Sequence, residues 1–209
     1  FFPGVSYRNI CVFKNLKPDE VECTPPHDVI GRPFEEHLPL GKKADLLRDL
    51  MKRSSPLLSQ HEVNRHRTAR SLNPANMIWL WGQGTTPSMP LFKDLFGLEG
   101  GVISAVDLVQ GLAKLLGLQC IDVPGATGYY DTNYQGKGDY ASRFLRHKDF
   151  VLVHVEAPDE ASHNGDLEQK IKAIENFDKM VVGPVYSEMS AFPRFRIMVL
   201  PDHPTPIRF

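Results

Sequence analysis

No apolar run in the sequence approaches the roughly 20 residues needed to span a bilayer. Nor does the chain open with a charged and then greasy segment, since its first residues are Phe1-Phe2-Pro3-Gly4. Neither a membrane span nor a secretory leader is expected, and the reading is of a cytoplasmic protein. Cysteine is scarce. Cys11, Cys23 and Cys120 are odd in number, widely separated and mostly flanked by apolar residues. That argues against a disulfide framework or a thiolate metal cage and leaves buried free thiols as the expectation. An excess of charge of one sign is also missing: 24 basic residues face 25 acidic ones for a net charge of −1. With no basic run, there is no electrostatic ground for expecting nucleic acid or acidic lipid as partner, while small anionic substrates remain open. What is present is bulk: 209 residues at 42% hydrophobic content are enough for one good core and a small second one. The first residue is not methionine, an apolar run begins almost at once and the chain stops at Arg208-Phe209, so a fragment of a longer protein is expected.

Along the chain, residues 5–13 have strand composition and residues 24–41 are proline-rich and aperiodic, a long loop carrying His27 and Asp28. Leu46, Leu47, Leu50, Met51, Leu57, Leu58 and Val63 recur at mainly helical spacings, which predicts one long or Pro56-broken helix to about residue 71. Asn73-Pro74 reads as a linker. Beyond it, short apolar runs alternate with amphipathic segments, the pattern of an α/β layer fold with parallel strands. Strands are expected at 77–81, 101–104, 120–123, 150–155 and 195–200, with 150–155 buried on both faces. Helices are expected at 107–116, ended by Gly117, at 139–146 after a glycine-rich loop over 125–138, and around Leu167, Ile171, Ile174 and Phe177.

Two of these strands lead directly into hard metal ligands: Asp159 and His163 after 150–155, and Asp202 with His203 after 195–200. In an open parallel sheet the carboxyl ends of strands face the ligand crevice. The Asp-x-x-x-His spacing places its two groups about one helical turn apart, able to face one cation if the segment coils. Carboxylate with neutral imidazole suits manganese, zinc or iron better than magnesium. Asp159 could equally cap the turn into the next helix. The joint placement of two such pairs is what favours metal. His37, His61, His66, His147 and His154 read as ordinary surface or helix residues.

Four stretches carry a resemblance. Asn76-Met77-Ile78-Trp79-Leu80-Trp81-Gly82-Gln83-Gly84, Gly125-Ala126-Thr127-Gly128-Tyr129-Tyr130-Asp131-Thr132-Asn133-Tyr134, His154-Val155-Glu156-Ala157-Pro158-Asp159-Glu160-Ala161-Ser162-His163-Asn164-Gly165-Asp166 and Asp202-His203-Pro204-Thr205-Pro206 together resemble archaeal-type cofactor-independent phosphoglycerate mutases of the alkaline phosphatase superfamily. The similarity spans essentially the whole chain. It implies an alkaline-phosphatase-like, mostly parallel sheet flanked by helices over residues 73–209, and the latter part of an inserted, substrate-clamping α+β domain over residues 1–72. It further implies that Asp159 and His163 bind one divalent metal and Asp202 and His203 a second, drawn from manganese, zinc, cobalt or magnesium, with no 2,3-bisphosphoglycerate needed.

Tyr7-Arg8, the Thr24-Pro25-Pro26-His27 loop, Asn64 and Arg67 match positions of the inserted domain, which makes Arg8, His27, Asn64 and Arg67 the substrate-binding candidates. An arginine's planar fork can hold carboxylate or phosphate bidentately. Arg65 reads equally as a solvated helix face, and Lys137 is a further substrate candidate. The implied reaction moves phosphate between the 3- and 2-positions of glycerate through a serine nucleophile. That serine's segment has no match here, and neither Ser104 nor Ser162 takes its place. Rival readings are a metal-dependent phosphomonoesterase or other phosphotransferase of the same superfamily, and a non-catalytic remnant that binds phosphorylated metabolites.

Overall fold

The computed structural model describes residues 1–4 and 9–207. It divides into two compact units, one of Phe1–Pro3 with Asn9–Thr86, the other beginning its main body at Pro87.

In the first unit, β1 (Phe2–Pro3) pairs antiparallel with β2 (Asn9–Ile10). Of the strand expected over 5–13, only Asn9 and Ile10 are strand, and residues 5–8 lie outside the described residues. The proline-rich loop is pinned where Glu22 and Leu40 exchange both backbone hydrogen bonds at 2.8 Å. Short 3-10 turns at Pro26–Val29 and Phe34–His37 fold its interior. Helix α1 (Ala44–Gln60) buries Ala44, Leu47 and Met51, spaced three and four apart, so one stripe faces inward. Pro56 does not break it. The chain turns at His61 instead, whose ring accepts from Val63 N–H to cap α2 (Glu62–Ala69).

Residues 77–81 are not a strand, and they lie in the first compact unit, which runs to Thr86. Side chains tie residues 78–83 to the rest of the first unit one bond at a time, with no described strand alongside. Trp79 Nε1 donates to Thr24 O at 2.8 Å, Ile78 N to Ser54 Oγ at 3.0 Å, and Gln83 Nε2 to Val21 O at 3.3 Å.

The second unit is built on a three-stranded parallel sheet in the order β4-β3-β5, with β3 (Gly100–Ile103), β4 (Gln119–Cys120) and β5 (Phe150–Val153). Before it comes α3 (Phe92–Phe96). Successive side chains of a strand point to opposite faces, and here each face has its own core. Val102 packs with Ala113 and Leu118 against α4 (Asp107–Leu115), whereas Ile103 packs with Val123 and Ala141 against α5 (Tyr134–Leu145). This is the α/β class expected, with helices over both faces. Gly117, at φ +70°, ends α4 as its sequence position implied.

Three expectations need correction. Helix α5 begins at Tyr134, inside the expected glycine loop, because Asn133 Oδ1 accepts from Gly136 N–H at 2.8 Å and caps it. β5 packs into cores on both faces but is only partly buried, with Leu152 41% exposed. Residues 195–200 are not a strand, since no described strand runs beside them, and Met198 is 82% exposed.

Helices α6 (Ala157–His163) and α7 (Leu167–Phe177) follow, then a π-helical turn at Asp178–Val182 and α8 (Gly183–Met189). Tyr134, Ala157, Ala173 and Val181 form the core beneath them. The cysteines carry free thiols, but Cys11 is exposed rather than buried. No helix among the described residues is long and apolar enough to cross a membrane.

Candidate metal centre

β5 ends where His154 N–H donates to Ile103 O at 2.8 Å, and the chain then turns into α6 through Glu156. Pro158 suits the first turn of α6, where its missing N–H has no intrahelical partner to lose. Asp159 sits in that turn and His163 one turn later, so both occupy one helix face with Nε2 to Oδ2 at 3.4 Å. Asp159 is the sheltered member, its side chain 24% exposed against 65% for His163.

The loop before α5 supports this helix from the side. Tyr129 and Tyr130 stack at 4.1 Å, and Asn164 Nδ2 donates to both hydroxyls, at 3.1 and 2.7 Å. Glycine at 128 makes room: a β-carbon there would meet Glu156 Oε2 at 2.6 Å.

Although 195–200 is no strand, the segment that follows it reaches α6. Thr205 Oγ1 donates to Asp159 Oδ1 across 46 residues of sequence and lies 3.1 Å from His203 Nδ1. Lys170 Nζ also holds Thr205 O at 2.8 Å. Asp202 Oδ2 stands 3.8 Å from His154 Nε2. A threonine hydroxyl has one hydrogen, and here it goes to the Asp159 carboxylate. The His203 contact therefore requires Nδ1–H as donor, which leaves the Nε2 lone pair of His203 free to ligate.

Electrostatics focus on the same spot. Lys137, 1% exposed, donates to His154 O at 3.0 Å, and burial lowers its pKa to about 8 against a smaller upward pull from Glu156. Burial also holds His154 below its ordinary value, partly opposed by Asp202 and Asp159. Carboxylate oxygens of Glu156, Asp159 and Glu160 lie within 4.8 Å of one another. Such crowded like charges repel in the absence of a cation.

The remaining candidates belong to the first unit, apart from Arg8, which lies outside the described residues. His27 is exposed, with its ring edge-on to Trp81 at 5.2 Å and Nε2 3.7 Å from Asp28. Arg67 commits Nε to Asn73 O at 2.7 Å. Asn64 is buried and spends both amide hydrogens, on Leu58 O and Ala75 O at 2.7 Å each, while Oδ1 accepts from Ala75 N–H.

Sequence reasoning missed His154, Glu156, Glu160 and Thr205 as parts of this neighbourhood. Three of them sit in the motif block around Asp159, and the signal available was their helical or near-helical spacing from it. Thr205 had none, because its role depends on a contact between distant segments.

A family model of the metalloenzyme superfamily matches residues 37–209. The chain belongs to this superfamily. A model of 2,3-bisphosphoglycerate-independent phosphoglycerate mutase matches residues 1–64. Curated relatives with that same description include a protein of Methanothrix thermoacetophila, 56% identical over 207 residues that cover 99% of this chain and 52% of the relative. A probable one from Geobacter sulfurreducens is 51% identical over 208 residues, 100% of this chain and 52% of the relative. The chain thus spans about half the length of the curated relatives it matches. Among solved structures, the PH0037 protein from Pyrococcus horikoshii is 32% identical, with a TM-score of 0.60 over 70% of this chain and 39% of that one. Membership of the metalloenzyme superfamily agrees with the expected α/β class and implies divalent metal ions. The donors fit: hard carboxylate oxygens beside an imidazole whose Nε2 is free suit a borderline divalent cation.

Proposed function

We propose that this chain is part of a metal-dependent phosphoglycerate mutase, acting in the cytoplasm, that interconverts 3-phosphoglycerate and 2-phosphoglycerate through a phosphoserine intermediate. The nucleophilic serine lies in sequence beyond these 209 residues, and 2,3-bisphosphoglycerate is not required. The observation that supports the reading is the meeting of Asp159 and His203, one member of each acid–imidazole pair, on the Thr205 hydroxyl. The names of the curated relatives supply the substrate.

In this reading Asp159 and His163 hold one divalent ion and Asp202 and His203 the other, with manganese, zinc, cobalt or magnesium as the candidates. Bound divalent ions polarise phosphoryl oxygens and offset the charge of an in-line transfer. The residues of this chain do the positioning. α6 fixes Asp159 and His163 to one face, and Thr205 anchors the second pair against Asp159. Arg8, His27 and Arg67 bind the carboxylate or phosphate of the glycerate and hold it for return of the phosphoryl group. Asn64, with both amide hydrogens used internally, serves by fixing the turn at Ala75.

The test is an enolase-coupled assay on the protein carrying this sequence, with and without added divalent metal. Metal-dependent formation of 2-phosphoglycerate, abolished by Asp159→Asn, is the expected result. Release of free phosphate from many esters would instead identify a phosphomonoesterase. The 209-residue piece by itself is expected to show no mutase turnover.

A further inference from the structure

Two histidines face Asp202, and each has its Nδ1 against a hydroxyl, but the hydroxyls impose opposite protonation patterns. At His203, Thr205 has given its hydrogen to Asp159, so the ring must donate from Nδ1, and the neutral ring has Nε2 bare. At His154 the arrangement is reversed. Ser104 Oγ accepts from Val106 N–H at 3.0 Å and lies 3.3 Å from His154 Nδ1. Among the described hydrogen bonds, that ring nitrogen is the only acceptor the Ser104 hydroxyl hydrogen has. Nδ1 is then the acceptor, and the neutral ring carries its proton on Nε2, the atom 3.8 Å from Asp202 Oδ2.

The ring is also held firmly. Its backbone N–H donates to Ile103 O at 2.8 Å and its carbonyl receives Lys137 Nζ at 3.0 Å. Ser104 itself is fixed by Gln110 Nε2 on its carbonyl at 2.7 Å. A side chain restrained at the strand end and at one ring nitrogen presents the other nitrogen in a fixed direction. Asp202, by contrast, is largely exposed and lies in a segment with no ladder of its own.

We propose that His154 is a positioning residue: fixed by Ser104 as the Nε2–H tautomer, it orients the Asp202 carboxylate toward a divalent cation and does not itself ligate. This rests on the metal-site reading above. Partners of this kind, one contact removed from the metal, set ligand orientation and contribute about 10–100-fold to metal affinity.

The experiment has two readouts besides turnover. Mn²⁺ binding is followed by electron paramagnetic resonance of the free ion for the wild-type protein and for His154→Ala, His154→Gln and Ser104→Ala. Nitrogen-15 NMR of the wild-type histidines, without metal, assigns the tautomer of His154. The expected results are an Nε2-protonated neutral ring, Mn²⁺ affinity about 10–100-fold weaker in His154→Ala, and substantial recovery in His154→Gln, whose amide keeps a donor. Ser104→Ala should give an intermediate loss. Wild-type affinity in His154→Ala, or a proton found on Nδ1, would overturn the assignment. Equal loss in the Gln and Ala variants, with a coordination shift of a His154 ring nitrogen on adding diamagnetic Zn²⁺, would make His154 a ligand and overturn it too. A wild-type protein that binds no Mn²⁺ refutes the metal site itself, a result distinct from any difference among the variants. Should His154→Ala fail to fold, the NMR tautomer still decides.

Discussion

Phe150–Val153 and residues 195–200 are both short apolar runs that lead into an acid and an imidazole, yet only the first is a strand. β5 has β3 beside it, four residues in register, and its side chains enter all three of the cores. The later run has no described strand alongside, and most of its side chains face solvent. Its imidazole still meets Asp159 at the Thr205 hydroxyl, with Lys170 holding the Thr205 carbonyl, while its acid stands 3.8 Å from His154 Nε2. Strand composition expresses a capacity to pair, while the presence of a neighbour with free donors and acceptors decides whether pairing occurs. Side chains can bring a motif to its place without any ladder.

The contrast can be tested by substitution, starting with the largest effect. Ile103→Ala, at a fully buried position between the sheet and α5, should cost about 2–5 kcal/mol in chemical denaturation. A smaller loss would mean the sheet is no better packed than the run that failed to join it. Next is Lys137, which braces the end of β5. Its pKa falls from 10.5 unfolded to about 8 folded, so between those values the unfolded chain binds the extra proton. Stability should therefore rise as pH climbs from about 8 to 10.5, by about 3 kcal/mol in total, and Lys137→Met should flatten that rise. Thr205→Val removes the hydroxyl link and should loosen residues 201–207 by about 1 kcal/mol, read as faster amide exchange there with exchange in β3 unchanged. The smallest effect is expected from Met198→Lys, within about 0.5 kcal/mol by thermal unfolding. A large loss there would show that 195–200 is packed after all.

Much of the architecture could be read from local pattern. Apolar spacing located α4 and α7 to within a residue or so, Gly117 marked an end, and the Asp-x-x-x-His spacing would align Asp159 and His163 if the segment coiled, as it does in α6. Where reading failed, the deciding partner lay far away in sequence. Residues 77–81 look like a strand, but Trp79 bonds to Thr24 O and Ile78 N–H to the Ser54 hydroxyl, each far away in sequence. His154 looked ordinary because nothing adjacent to it announces Ser104 fifty residues earlier or Asp202 in the last segment.

By itself, then, the sequence determined the class of fold, the one-turn spacing of the first acid and imidazole, and the chemical kind of donor, all of which depend on residue type and on spacings within a turn or two. Tertiary structure alone decided which apolar runs became strands, which histidine nitrogen is bare, and that Asp159 and His203 meet at one hydroxyl. Those outcomes turn on single hydrogens and on neighbours brought together by folding, and no local period encodes either.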